Sequence, residues 1–99
     1  MPVFHVQRSR NGPQWRAGLP LEEQAGWTAH AAFMDDLVAR GRILLGGPLA
    51  DDHRVILVLS AESEAAVHEL LAQDPWSGSH LSTDEVARWT IRLDGREPR

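Results

Sequence analysis

The run Arg54-Val55-Ile56-Leu57-Val58-Leu59 limits the possible folds more than any other part of the chain, because it is apolar at odd and even positions alike. Successive side chains of a strand point to opposite faces, so this pattern describes a strand covered on both sides. One face must pack on helices. A chain of 99 residues forms one domain whose two layers supply little to cover the other face, so a second subunit across the sheet is expected.

The segments around this strand give the order of elements. Val3-Phe4-His5-Val6-Gln7-Arg8 reads as a first strand, followed by a break over residues 9–20 that holds Gly12, Pro13, Gly18 and Pro20 around an isolated Trp15. A loop of that length is often a binding loop or lid. Pro20 suits a helix start, with Glu22 and Glu23 complementing the positive end of the dipole, and Gly41 is the expected stop. Arg42 to Leu49 reads as a strand whose end is shaped by Gly46-Gly47-Pro48, and Ala50-Asp51-Asp52-His53 turns into the central run. Gly46 and Gly47 fit either a strand bulge or a backbone that approaches a ligand closely. Ser63 is the expected N-cap of a second helix with Ala66, Val67, Leu70 and Leu71 as its buried stripe, ended by Asp74-Pro75. The alternation of Ala87, Trp89, Ile91 and Leu93 against Arg88 and Arg92 places a last strand over residues 86–93, with a mobile tail over 95–99. The order β-α-β-β-α-β predicts an α+β, ferredoxin-like fold: a four-stranded antiparallel sheet with two helices on one face.

Composition removes many kinds of chemistry. There is no cysteine, which excludes disulfides and thiolate nucleophiles, and every basic side chain other than histidine is arginine, which excludes lysine Schiff bases. A net charge of −4 argues against a nucleic-acid partner. No apolar run is long enough for a membrane span, and Met1-Pro2-Val3-Phe4 lacks the basic start of a secretory signal, so a cytoplasmic protein is expected. His5, His30, His53, His68 and His80 show no paired metal-ligand spacing, and no phosphate loop or dinucleotide fingerprint is present, so neither metal nor cofactor is expected.

What remains is acid/base chemistry, and His30 is the candidate base. At about 100° per residue, Trp27, His30, Ala31, Met34, Leu37, Val38 and Gly41 share one helical arc, with Asp35, Asp36 and Arg40 opposite. An imidazole on that face is either a core histidine satisfied by one hydrogen bond or the base of a small pocket. Asp74 is the best carboxylate to orient it, being held in a bent Asp-Pro geometry beside Trp76; the plainer reading of Asp74 is a helix terminator. Asp35, Asp36, Asp51, Asp52 and His68 read as solvated surface, and Trp27 and Trp89 as core. Trp76 reads equally as packing or as a platform.

Trp27-x-x-His30-x-x-Phe33-Met34-x-x-Leu37, Gly41, Gly46-Gly47-Pro48-Leu49, Asp74-Pro75-Trp76 and Trp89 together resemble the YciI-like (YCII-related) domain over residues 3–94. The resemblance implies a ferredoxin-like fold, pairing into dimers of the dimeric α/β-barrel superfamily, and an active site centred on a histidine and an aspartate. His30 matches that histidine and Asp74 that aspartate. It implies a small-molecule lyase, isomerase or hydrolase with His30 and Asp74 as the catalytic pair and Trp76, Gly47, Pro48 and Trp15 bounding the substrate. A non-catalytic ligand-binding module, or an interaction domain with a structural histidine, uses the same residues. The long 9–20 loop departs from shorter members of the family, so the pocket entrance and the substrate do not carry over.

Overall fold

A computed structural model of the chain describes residues 1–96. Strand β1 (Val3–Ser9) is followed by a 3-10 turn (Leu21–Glu23), helix α1 (Trp27–Ala39), strands β2 (Ile43–Pro48) and β3 (Arg54–Ser60), helix α2 (Glu64–Ala72) and strand β4 (Ser82–Arg88). The strands form one antiparallel sheet in the order β2-β3-β1-β4, which is the ferredoxin-like arrangement. Phe4 and Val6 of β1 lie opposite Leu59 and Leu57 of β3. With Ile43 they pack against Leu37 of α1 and Val67 and Leu71 of α2, so both helices cover the same sheet face. Each such side chain stabilises the fold by roughly 1.5–3 kcal/mol.

Several local signals act as their chemistry dictates. Ser63 accepts a hydrogen bond from the Ala66 amide at 3.1 Å and caps α2. Gly41 takes the left-handed conformation after α1. The first helix, by contrast, is shorter than its periodicity predicts. Gly26, at φ 77°, interrupts it, so that a 3-10 turn follows Pro20 and α1 proper begins at Trp27. On α1 itself Val38 is exposed, whereas Phe33, outside the predicted arc, packs against the core. The expected bulge at Gly46-Gly47 is displaced as well: the β2–β3 register shifts between Ile43 and Leu45. Gly46 suits a crowded position instead, since a Cβ there would lie 2.7 Å from Leu57 Cδ2, which would have to shift, and 3.3 Å from the Ile56 carbonyl oxygen.

The last strand also differs from its predicted span of 86–93. It pairs as Ser82–Arg88, and the Trp89 amide makes a further bond to the Val3 carbonyl at 2.8 Å. Beyond this point β1 has ended, and Pro2 has no N–H to donate. Ile91 is only half-buried and Leu93 is 84% exposed, so neither forms the expected inner row. Trp89 is likewise not core: it is 45% exposed, with its ring edge against His5. The chain then turns back towards β2, where Arg96 donates to the Leu44 carbonyl at 3.1 Å and to Asp94. Arg96 is the last residue described of the tail expected to be mobile over residues 95–99, and residues 97–99 lie outside the described residues. Among the described residues, no helix is long and apolar enough to cross a membrane.

The 9–20 loop is docked along the 79–80 segment. The Gly12 and Gln14 amides donate to the His80 and Ser79 carbonyls at 3.1 and 2.8 Å. Buried Gln24 fastens the far end of the loop, accepting from the Arg16 amide and donating to the Arg16 and Leu19 carbonyls. Gly12 is the one residue that fits here, because a Cβ would lie 2.4 Å from the Ser79 carbonyl oxygen.

Candidate active site

The site forms where β1, the second turn of α1 and the turn after α2 meet. Asp74 is buried, and its side-chain oxygen bonds back to the Trp76 amide at 2.9 Å, closing an Asx turn around Pro75. That turn uses Oδ1, which is shared with His30, and aims the carboxylate at two basic groups. Oδ1 lies 2.7 Å from His30 Nδ1, and Oδ2 accepts from Arg8 Nη1 at 2.7 Å. Because an ionised carboxylate only accepts, Nδ1 carries the proton of this contact. Burial alone would raise the Asp74 pKa; hydrogen bonds from His30, the Trp76 amide and Arg8 outweigh it and hold the carboxyl below its usual value. Among the described residues His30 Nε2 has no hydrogen-bond partner, and the residue lines an open cleft of about 530 Å³ between α1 and the β2–β3 edge.

Aromatic packing fixes the imidazole. The His30 ring stacks on Trp76 at 4.1 Å and 6°, and His80 stacks on the opposite face of the same indole at 4.5 Å and 13°. Trp76 Nε1 donates to the Ala25 carbonyl at 2.9 Å. Gly26 permits this approach, since a Cβ at that position would lie 3.2 Å from Nε1. Burial, reinforced by the nearby charge of His30 and opposed by that of Asp74, pushes the His80 pKa down. His80 Nδ1 contacts Ser79 Oγ at 2.8 Å, while its Nε2 is enclosed without a partner.

The candidate residues divide between two neighbouring cavities. His30, Trp76, Gly47 and Pro48 line the cleft, whereas Asp74 lies behind His30. Trp15 does not line it. Its ring is occupied by the Trp76 edge at 5.9 Å and by the Arg10 guanidinium 4.8 Å from its centroid, and it lines a second cavity beside the 51–53 turn. Asp35, expected at the solvated surface, is exposed but sits on the cleft. Asp52, also exposed, pairs with buried Arg10.

Two arginines and a histidine at the site lie outside the candidate residues expected from the sequence. Arg8 shares the parity of Phe4 and Val6 on β1 and so faces the core, where it is 1% exposed and also donates to Ser77 Oγ at 2.8 Å. A charge at a buried parity is the signal that marks it. Arg10 follows β1 and is also buried. His80 lies in a Ser/Gly-rich connection with no periodicity to mark it.

Among the described residues, no group of three or more His, Asp or Glu side chains is placed to hold a metal ion. The fold therefore presents a ferredoxin-like domain with a histidine–carboxylate contact at the base of a mostly apolar cleft. The chain belongs to the YCII-related domain family, whose profile matches residues 8–90. Neither the curated proteins nor the solved structures provide a match.

Proposed function

We propose that this chain is a small-molecule acid/base enzyme in which His30 moves a proton. The observation that carries the reading is the 2.7 Å contact between His30 Nδ1 and buried Asp74, on a residue whose Nε2 has no partner among the described residues and which lines the cleft. Asp74 keeps the proton on Nδ1 and stabilises the imidazolium, leaving Nε2 to accept a proton from a C–H or O–H of the bound molecule. The same nitrogen then returns the proton to a leaving group or to a second carbon, giving an elimination or an isomerisation; in a hydrolysis the proton accepted is that of a water whose oxygen attacks the substrate, and it is returned to the departing group. Gly47 and Pro48 bound the substrate on the β2 side, and Trp76 holds the imidazole plane. Exposed Leu45, Trp89 and Leu93 suit a second copy of the chain in a cytoplasmic homodimer.

The test uses a panel of small lactones, enones and halogenated phenols in D2O, followed by proton NMR. Deuterium incorporation or product formation is expected from the wild type, falling by about 100-fold or more in His30→Gln. Turnover that survives His30→Gln overturns the assignment. Stabilisation of the fold by a panel compound, retained in His30→Ala and without turnover, identifies a binding module instead.

A further inference from the structure

We propose that the molecule bound in this cleft is an apolar carboxylate and that Arg10 is the residue that recognises its anionic group. The inference rests on the cleft being the ligand site, as proposed above, and names the class of ligand it takes. Arg10 is 7% exposed, yet its side-chain hydrogen bonds all leave from Nη1, which donates to Oδ1 and the backbone carbonyl of Asp52. Among the described residues Nε and Nη2 have no hydrogen-bond partner, and neither is sealed from solvent. An arginine buried to this degree ordinarily has its donor fork filled, and a planar fork with open donors matches a carboxylate. Trp15 backs the guanidinium at 4.8 Å and limits its rotation.

The charge around Arg10 favours an anion in the His30 cleft over the neighbouring cavity. Arg10 lines both, but the neighbouring cavity also carries Asp51 and Asp52, whose negative charge repels an anion. The His30 cleft carries Arg8 and His30, with Asp74 behind them already bonded to both and exposed Asp35 as the acidic residue on its lining. The remaining wall, including Met34, Val38, Leu57 and Pro48, is apolar. A chain with a net charge of −4 thus presents two arginines, Arg8 and Arg10, on this apolar cleft. Asp52, with its side chain 82% exposed on the β2–β3 turn, acts as the internal counter-charge that an entering carboxylate must compete with.

The experiment compares benzoate with benzamide, a neutral molecule of nearly the same shape, by amide NMR titration of the full chain at neutral pH. Benzoate is expected to bind about 10-fold more tightly than benzamide, the size of effect expected from one charge-assisted hydrogen bond. Arg10→Gln should abolish that preference while leaving benzamide binding in place. Asp52→Asn, at an exposed position whose φ of 57° suits asparagine, should strengthen benzoate binding about 3-fold or more. Equal affinity of the two probes, a preference that persists in Arg10→Gln, or no gain in Asp52→Asn overturns the proposal, as does the absence of benzoate binding. If Arg10→Gln does not fold, the Asp52→Asn result decides. A benzoate preference retained in a chain that shows no deuterium exchange removes the acid/base reading alone, so the two failures are distinguishable.

Discussion

Replacing Arg8 with methionine tests whether the site is held together by charge. The substitution keeps a long unbranched side chain at a position that is 1% exposed and removes two hydrogen bonds, to Asp74 Oδ2 at 2.7 Å and to Ser77 Oγ at 2.8 Å. It leaves the Asp74 carboxylate buried with the Trp76 amide and His30 as its remaining partners. Removing one partner of a buried ion pair costs about 3–5 kcal/mol, because the other charge is stranded away from water. Against a total stability of roughly 5–15 kcal/mol for a domain of this size, that is a large fraction. The midpoint of thermal unfolding should fall by at least about 12 °C, at ~4 °C per kcal/mol or more. Urea and thermal unfolding followed by circular dichroism at pH 7 provide the measurement. The pH dependence provides a second check. The Asp74 pKa is held below its unfolded value, so the stability it contributes is complete above about pH 4 and is lost as the pH falls through its folded value. Once Asp74 is protonated it no longer needs Arg8, and the gap between wild type and Arg8→Met should narrow in acid. A loss under about 1 kcal/mol at pH 7, the range of an exposed pair, would refute the reasoning.

Two further predictions concern the surroundings of the site. Burial lowers the His80 pKa in the folded chain, so the unfolded chain binds the extra proton first and the native state loses stability as the pH falls below about 6.5. His80→Phe, which keeps a flat ring against Trp76, should reduce the difference in urea midpoint between pH 7 and pH 5; an unchanged difference counts against the assignment. Gly12→Ala, whose Cβ would meet the Ser79 backbone at 2.4 Å, should cost about 1–3 kcal/mol or more, while Gly47→Ala, with nothing within 4 Å, should stay within about 0.5 kcal/mol. Equal unfolding midpoints for the two alanine variants would contradict the docked loop.

Periodicity and punctuation made the order of elements legible in the sequence. The double-sided apolar run 54–59, the Ser63 cap and the stops at Gly41 and Asp74-Pro75 are local signals whose effects stay local. The two boundaries that moved depend on distant partners. Strand β4 is placed by where β1 begins and ends, so the polar Ser82-Thr83-Asp84 is recruited to the sheet and the alternating 89–93 segment is released. Helix α1 is shortened because Gly26 yields to the Trp76 indole, a contact across 50 positions of chain. The proximity of His30 to Asp74 was foreseen through family resemblance, whereas Arg8 could be read from parity alone. The His80 stack and the open donors of Arg10 depend on the docking of the 9–20 loop and the 76–81 turn, and periodicity does not encode them.

The sandwich of Trp76 between two imidazoles has an optical consequence. The chain has no tyrosine, so its near-ultraviolet emission comes from four indoles, and Trp15, Trp27 and Trp76 form one cluster with ring centroids 5.9 Å apart on either side of Trp76. A proton gained by either flanking ring places a cation directly on the face of the central indole. The emission of this protein therefore responds to the charge on the two imidazoles that flank Trp76, and can be read without any label.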